Sequence, residues 1–165
     1  MWTDVVALEV VAPDIDLGIG LHQVQTDTSG DGTLSPGESM TLDLYGSNTG
    51  QTTALGVWAM IAPPSPLITL TGCYAKNDSN TVACALTANG GCSCEAIPTN
   101  MKVDIAGASV SDDYLLRVSF DLSEETPIGL PVSFQVDFTD SFGNSYSDAL
   151  SLEVVVLETE EGSEP

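Results

Sequence analysis

The chain has 165 residues, 42% of them hydrophobic and only 16% charged, below the roughly 25% charged share of ordinary soluble proteins. Asp and Glu number 24 against Lys76, Lys102 and Arg117, which leaves a net charge of −21. Such a charge repels phosphate backbones and anionic lipid, so nucleic acid and bare membrane surface are excluded as expected partners and cations are favoured. The same acidity also serves solubility in a salty medium.

The length suits one core, and a single domain over residues 1–157 is expected. No run approaches the roughly 18 consecutive apolar residues of a membrane span, and no charged-then-apolar leader opens the chain. Direct membrane insertion is therefore not expected, and the chain reads as a soluble, mature or excised segment.

Short apolar runs separated by Gly, Pro, Asn, Asp and Ser recur from end to end, the pattern of strands joined by turns. In chain order the expected strands are Val5–Ala12, Leu17–Gln25, Ser39–Ser47, Ala54–Ala62 and Leu67–Tyr74. They continue with Met101–Ile105, Tyr114–Leu122, Val132–Thr139 and Ser145–Val156. Nowhere does a 3.6-residue apolar period last three turns, so helix should be nearly absent. Met40 to Tyr45 and Val132 to Phe138 are apolar on one face and polar on the other, as when two sheets pack face to face. The fold class is all-β, a two-layer antiparallel sandwich.

Residues 73–100 break this rhythm, being rich in Asn, Gly, Ser and Ala and holding every cysteine: Cys73, Cys84, Cys92 and Cys94. An even, local set of cysteines implies disulfides and an oxidising compartment. Cys92 and Cys94 are too close in sequence to bridge without strain, so both should pair with Cys73 and Cys84, in either of two connectivities. The segment reads as a disulfide-stapled loop insertion. Residues 158–165 are acidic and lack apolar anchors, as expected of a tail or linker.

The most specific signal is Asp27-Thr28-Ser29-Gly30-Asp31-Gly32-Thr33-Leu34-Ser35-Pro36-Gly37-Glu38. It places oxygen side chains at positions one, three, five, nine and twelve of a 12-residue loop, with Gly at six and an aliphatic residue at eight, as an EF-hand-type calcium loop requires. Asp27, Ser29 and Asp31 offer side-chain oxygens, Thr33 its carbonyl and Glu38 two carboxylate oxygens. Calcium is the cofactor expected there. The flanks alternate like strands, so the loop should join two strands rather than two helices. The plainer reading is a polar Gly/Asp turn.

The segment Gly30 to Glu38, the alternating Met40 to Leu44, then Asn48-Thr49-Gly50 and the strand through Val57 and Ala59 resemble the Ig-like modules of bacterial extracellular proteins of the CARDB (cell-adhesion-related) kind. Thr126-Pro127-Ile128-Gly129, Val132 to Phe138, Gly143-Asn144 and Leu150 to Val156 are similar to their final hairpin. The resemblance implies an Ig-like sandwich serving adhesion, spacing or display on a secreted or cell-surface protein, without catalysis. The cysteine-bearing segment departs from the usual pattern.

Catalysis is hard to build from the rest. His22 is the single histidine and lies in an alternating strand, where a structural or surface role is expected. The rings of Trp2, Trp58 and the Tyr and Phe residues are scattered along strands, as core residues rather than a binding platform. Asp137, Asp140 and Asn144 offer oxygens for a second cation, but Gly143-Asn144 marks an ordinary hairpin loop. Asn77-Asp78-Ser79 matches a glycosylation acceptor. The expected partners are other extracellular domains or copies of the same chain. In the alternative reading the protein is a filament subunit whose Val5–Ala12 strand completes a neighbour's sheet.

Overall fold

The computed structural model describes residues 2–8, 12–77 and 80–156. Its strands are β1 (Leu17–Asp27), β2 (Ser39–Asn48), β3 (Ala54–Ile61), β4 (Ile68–Asn77), β5 (Asn80–Ala83), β6 (Ala85–Leu86), β7 (Cys92–Ser93), β8 (Val103–Ile105), β9 (Ser109–Val110), β10 (Leu116–Leu122), β11 (Val132–Thr139) and β12 (Ser145–Leu152). The helical content of the described residues is one 3-10 turn, Thr99–Met101.

One sheet runs β1-β2-β10-β4-β5 with β9 beside β2; the other runs β12-β11-β3-β7-β6 with β8 beside β3. All of their pairings are antiparallel. With the seven main strands lettered A to G in chain order, the sheets read A-B-E-D and G-F-C, the connectivity of an Ig-like sandwich. The expected fold class is the one observed.

Period-two patterning produces this architecture. In β11, Val132, Phe134, Val136 and Phe138 point inward and are almost wholly buried, while Ser133 and Gln135 face out. Leu116, Val118, Phe120 and Leu122 of β10 do the same from the other sheet. The layers meet where the Phe120 and Phe134 rings pack edge to face at 5.0 Å.

The cysteine segment is stapled as expected, and it also supplies short strands to both sheets. Cys73 on β4 pairs with Cys92 on β7, so this bridge ties one sheet to the other, and Cys84 pairs with Cys94. The Cα separations, 6.5 and 4.7 Å, lie in the ordinary disulfide range. Of the two open connectivities, this is the one formed. Cys73, Cys92, Cys94, Ile97 and Met101 join the core, so the segment closes one side of the sandwich.

The first part of one expected strand, Val5–Ala12, is not formed. Residues 5–8 carry no strand, and Val5, Val6 and Leu8 are 77–89% exposed; Glu9, Val10 and Val11 lie outside the described residues. The physical reason lies just ahead of β1. Asp14 and Asp16 are bonded to the β2–β3 turn, Thr52 N to Asp14 O at 2.8 Å and Thr49 N to Asp16 O at 2.9 Å, which commits the backbone entering β1 to that turn. Trp2, expected in the core, is exposed for the same reason.

Candidate metal centre

The loop 27–38 joins β1 to β2, two strands and no helix, as its flanks implied. Its base is closed by Thr28, whose amide donates to the Ser39 carbonyl at 3.1 Å and whose hydroxyl accepts the Ser39 amide at 2.9 Å. Gly32 has φ +79° and Gly37 +84°, left-handed values that glycine reaches without strain, and these two turns fold the loop back on itself.

This folding brings the acidic side chains together. One carboxylate oxygen each from Asp27, Asp31 and Glu38 lie within 4.8 Å of one another. The Asp27 carboxylate accepts from the amides of Gly30 and Gly32, the latter at 2.6 Å. The Ser29 hydroxyl stands 3.4 Å from Asp27 Oδ1. Asp31 Oδ1 accepts from the Thr33 amide at 2.9 Å and the Thr33 hydroxyl at 2.8 Å. The Thr33 amide, then the hydroxyls of Ser29 and Thr33, hold the Asp31 carboxyl below the usual carboxylate range. Glu38 spans the loop: Oε1 accepts from Ser29 N at 2.9 Å and Oε2 from Ser35 N at 2.7 Å. All five expected ligand residues, Asp27, Ser29, Asp31, Thr33 and Glu38, thus belong to one hydrogen-bonded cluster.

Comparison of the buried carboxylates makes this cluster unusual. Among the described residues Glu38, Asp43 and Asp140 are buried. Asp43 receives a bidentate guanidinium, Arg117 Nε at 2.6 Å and Nη2 at 2.8 Å, an arrangement that raises the Arg117 pKa. Asp140 accepts from the amides of Phe142 and Asn144, the Asn144 side chain and the Tyr146 hydroxyl. Burial and the neighbouring Asp140 raise the Tyr146 pKa. Glu38 has two amides only, with two further carboxylates beside it. The three basic residues are engaged elsewhere: Arg117 with Asp43, Lys76 with Asp113 and the Tyr114 ring, Lys102 over the Trp58 ring. The Ser35 hydroxyl is also buried without a partner among the described residues, next to the amide that holds Glu38.

The loop therefore concentrates negative charge around a buried carboxylate with no cationic side chain to offset it. A divalent cation with a preference for hard oxygens fits this donor set. The contribution of Thr28 escapes motif reading, because it is not a ligand position; Ser35 stands at position nine of the motif, but its burial is not something the spacing announces.

The other candidates are placed as follows. His22 is exposed on β1. Asp140 caps the β11–β12 hairpin, while Asp137 faces Ser147 at 2.5 Å and Gln135 at 3.2 Å, so these residues serve the hairpin rather than a second cation. Among the described residues no cysteine is free, so Cys73, Cys84 and Cys94, although clustered, are disulfide partners. Asn77-Asp78-Ser79 includes residues outside those described.

No protein-family model and no curated protein matches the chain. Several solved structures are similar to it at low identity. The macrocyclization enzyme AvmM of alchivemycin A biosynthesis is 10% identical with a TM-score of 0.46, over 90% of this chain and 92% of that one. The archaellum periplasmic stator protein FlaG of Sulfolobus acidocaldarius is 13% identical with a TM-score of 0.29, over 79% and 98%. A PapD-like domain of human CEP192 is 14% identical with a TM-score of 0.31, over 94% and 96%. Likeness at this level carries no function across.

Proposed function

We propose that this chain is a non-catalytic, calcium-binding Ig-like module of a bacterial secreted or cell-surface protein, of the CARDB kind, serving adhesion, spacing or display. The observation that carries the reading is the convergence of Asp27 and Asp31 on the buried Glu38. Two disulfides support an oxidising, extracellular setting. The test is calorimetric titration of calcium chloride into the protein, with magnesium chloride as comparison. Calcium should bind with a Kd of about 10⁻⁵–10⁻³ M and magnesium far more weakly, because magnesium demands a tight octahedron and sheds water reluctantly. Absence of heat with calcium would reduce the loop to a polar turn.

A second reading is favoured by a separate observation. Trp2, Val5, Val6 and Leu8 are exposed, and β1, exposed past Ile19, stands at a sheet edge, so one copy's N-terminal arm has an edge strand to join on another copy. Light scattering after size exclusion, with calcium and high salt to screen the −21 charge, separates the two. A monomer supports the first reading; ordered polymers support a filament subunit.

A further inference from the structure

Loop 27–38 and the segment that follows β12 are joined through a single peptide group. Leu34 forms a parallel bridge with Val154, and its carbonyl accepts the Val155 amide at 2.9 Å. The other end of the same peptide is the Ser35 amide, which donates to Glu38 Oε2 at 2.7 Å. One side of the Leu34–Ser35 peptide therefore holds the exit segment, residues 153–156, and the other holds the buried carboxylate of the loop. Both partners are anchored. The Glu38 carbonyl accepts the Leu122 amide of β10 at 2.8 Å, which pins Glu38 to the core sheet. The Val154 side chain is wholly buried, and the Val154 carbonyl accepts the Gly129 amide at 2.8 Å. Because a peptide is planar and stiff, it cannot turn toward one partner without disturbing its bond to the other.

We infer that the Leu34–Ser35 peptide couples cation binding to the docking of the exit segment, so that calcium on the loop fastens this end of the sandwich and a fastened end tightens calcium. The inference rests on the calcium reading above. Its basis is the position of Leu34 between two expected ligand residues, Thr33 on one side and, through the Ser35 amide, Glu38 on the other. Without a cation, the carboxylates of Asp27, Asp31 and Glu38 repel one another across less than 4.8 Å, and that repulsion bears on the bond Glu38 makes to Ser35. A divalent ion replaces the repulsion with attraction and holds the peptide where the Val155 amide meets it. Binding free energies are reciprocal, so the factor by which calcium favours docking equals the factor by which docking favours calcium.

The experiment has two arms on the full chain. Amide exchange is followed in chelator and in saturating calcium chloride. Calcium chloride is also titrated calorimetrically into the native chain, into V155P, which lacks the N–H that reaches Leu34, and into V155T, which keeps it. Calcium should slow exchange at the Val155 amide about five- to tenfold more than at the Ile19 amide, which Asp148 holds near the other end of β1. V155P should bind calcium more weakly by about the same factor, and V155T like the native chain; should V155P fail to fold, the exchange comparison decides. Equal slowing at Val155 and Ile19, native affinity in a folded V155P, or an equal loss in V155T overturns the inference and leaves the calcium reading standing. Absence of calcium heat in the native chain removes that reading and this inference with it.

Discussion

If loop 27–38 takes calcium as proposed, removing the ion and removing single acids should have separable effects, because the acids are held differently. Glu38 is buried and bonded to two amides, while Asp31 is exposed at the loop surface. A ligand that binds only the folded state adds RT ln(1 + [L]/Kd). For an extracellular-type site of about 10⁻⁴–10⁻³ M, 10 mM calcium adds about 1.4–2.7 kcal/mol. At about 2–4 °C per kcal/mol for a chain of this size, the melting temperature should rise by about 3–11 °C over chelator at fixed ionic strength. Asp31→Ala should melt slightly below the native chain in chelator, having lost the bonds to Thr33, and should lose most of the calcium-dependent rise. Glu38→Gln should fall in both conditions, since its amide NH₂ would replace one acceptor oxygen and meet a backbone N–H. That lost charge-assisted bond and stranded donor together cost about 2–4 kcal/mol. Calorimetric melts of the three chains provide the assay. Equal melting temperatures in chelator and calcium, or a Glu38→Gln chain as stable as the native one in chelator, would refute the reasoning.

Three other outcomes are expected. Arg117→Ala leaves the buried Asp43 carboxylate unpaired and should destabilise by about 3–5 kcal/mol in urea unfolding, while the double change Asp43→Asn with Arg117→Met should recover most of the loss. Replacing Cys73 and Cys92 by Ala should cost about 2–5 kcal/mol, more than replacing Cys84 and Cys94, because it opens a longer loop, 19 residues against 10, and unties the two sheets. The Asp31 carboxyl is depressed in the folded loop, so its favourable contribution is complete above its unfolded value and is lost as pH falls through the folded one. The calcium-induced rise in melting temperature should therefore hold from pH 7 down to the ordinary Asp range near about 3.9 and shrink only below it, and a rise already lost between pH 7 and about 5 would contradict the assignment.

The sandwich was legible because its signal is local. Alternation in Val132 to Phe138 decides which face is buried before any partner is known, and the Asp/Gly spacing of 27–38 marks a turn that must fold back on itself. Other features depend on what the chain meets later. The arm at Val5 to Leu8 has a strand's composition but forms no strand, and the Asp14 and Asp16 carbonyls behind it accept from the β2–β3 turn rather than from a neighbouring strand. The cysteine segment is poor in large apolar residues, so its part in the core was invisible until Cys73 on β4 met Cys92 on β7. Within loop 27–38, the oxygen-bearing side chains could be read from spacing, whereas the burial of Glu38 and Ser35 comes from packing that motifs do not encode.

The placement of the loop also explains why a strand-to-strand turn would carry so much acidity. β1 is an edge strand, and past Ile19 it is mostly exposed, with register shifts at Gly20 and Gln25. Bulges of this kind blunt an edge against pairing with other chains, but they also weaken the strand's hold on β2. Two attachments compensate at its ends. Near the entry, the Ile19 amide donates to Asp148 Oδ2 on β12 at 2.8 Å, which joins the edges of the two sheets. Near the exit, the corresponding attachment is the loop itself, through Glu38 to Ser29 and Ser35 and through Leu34 to Val154. A cation on Asp27, Asp31 and Glu38 would tighten the attachment that otherwise works against its own charge. The stability of the β1 edge would then follow the calcium concentration of the medium, while the disulfide-tied side of the sandwich would not.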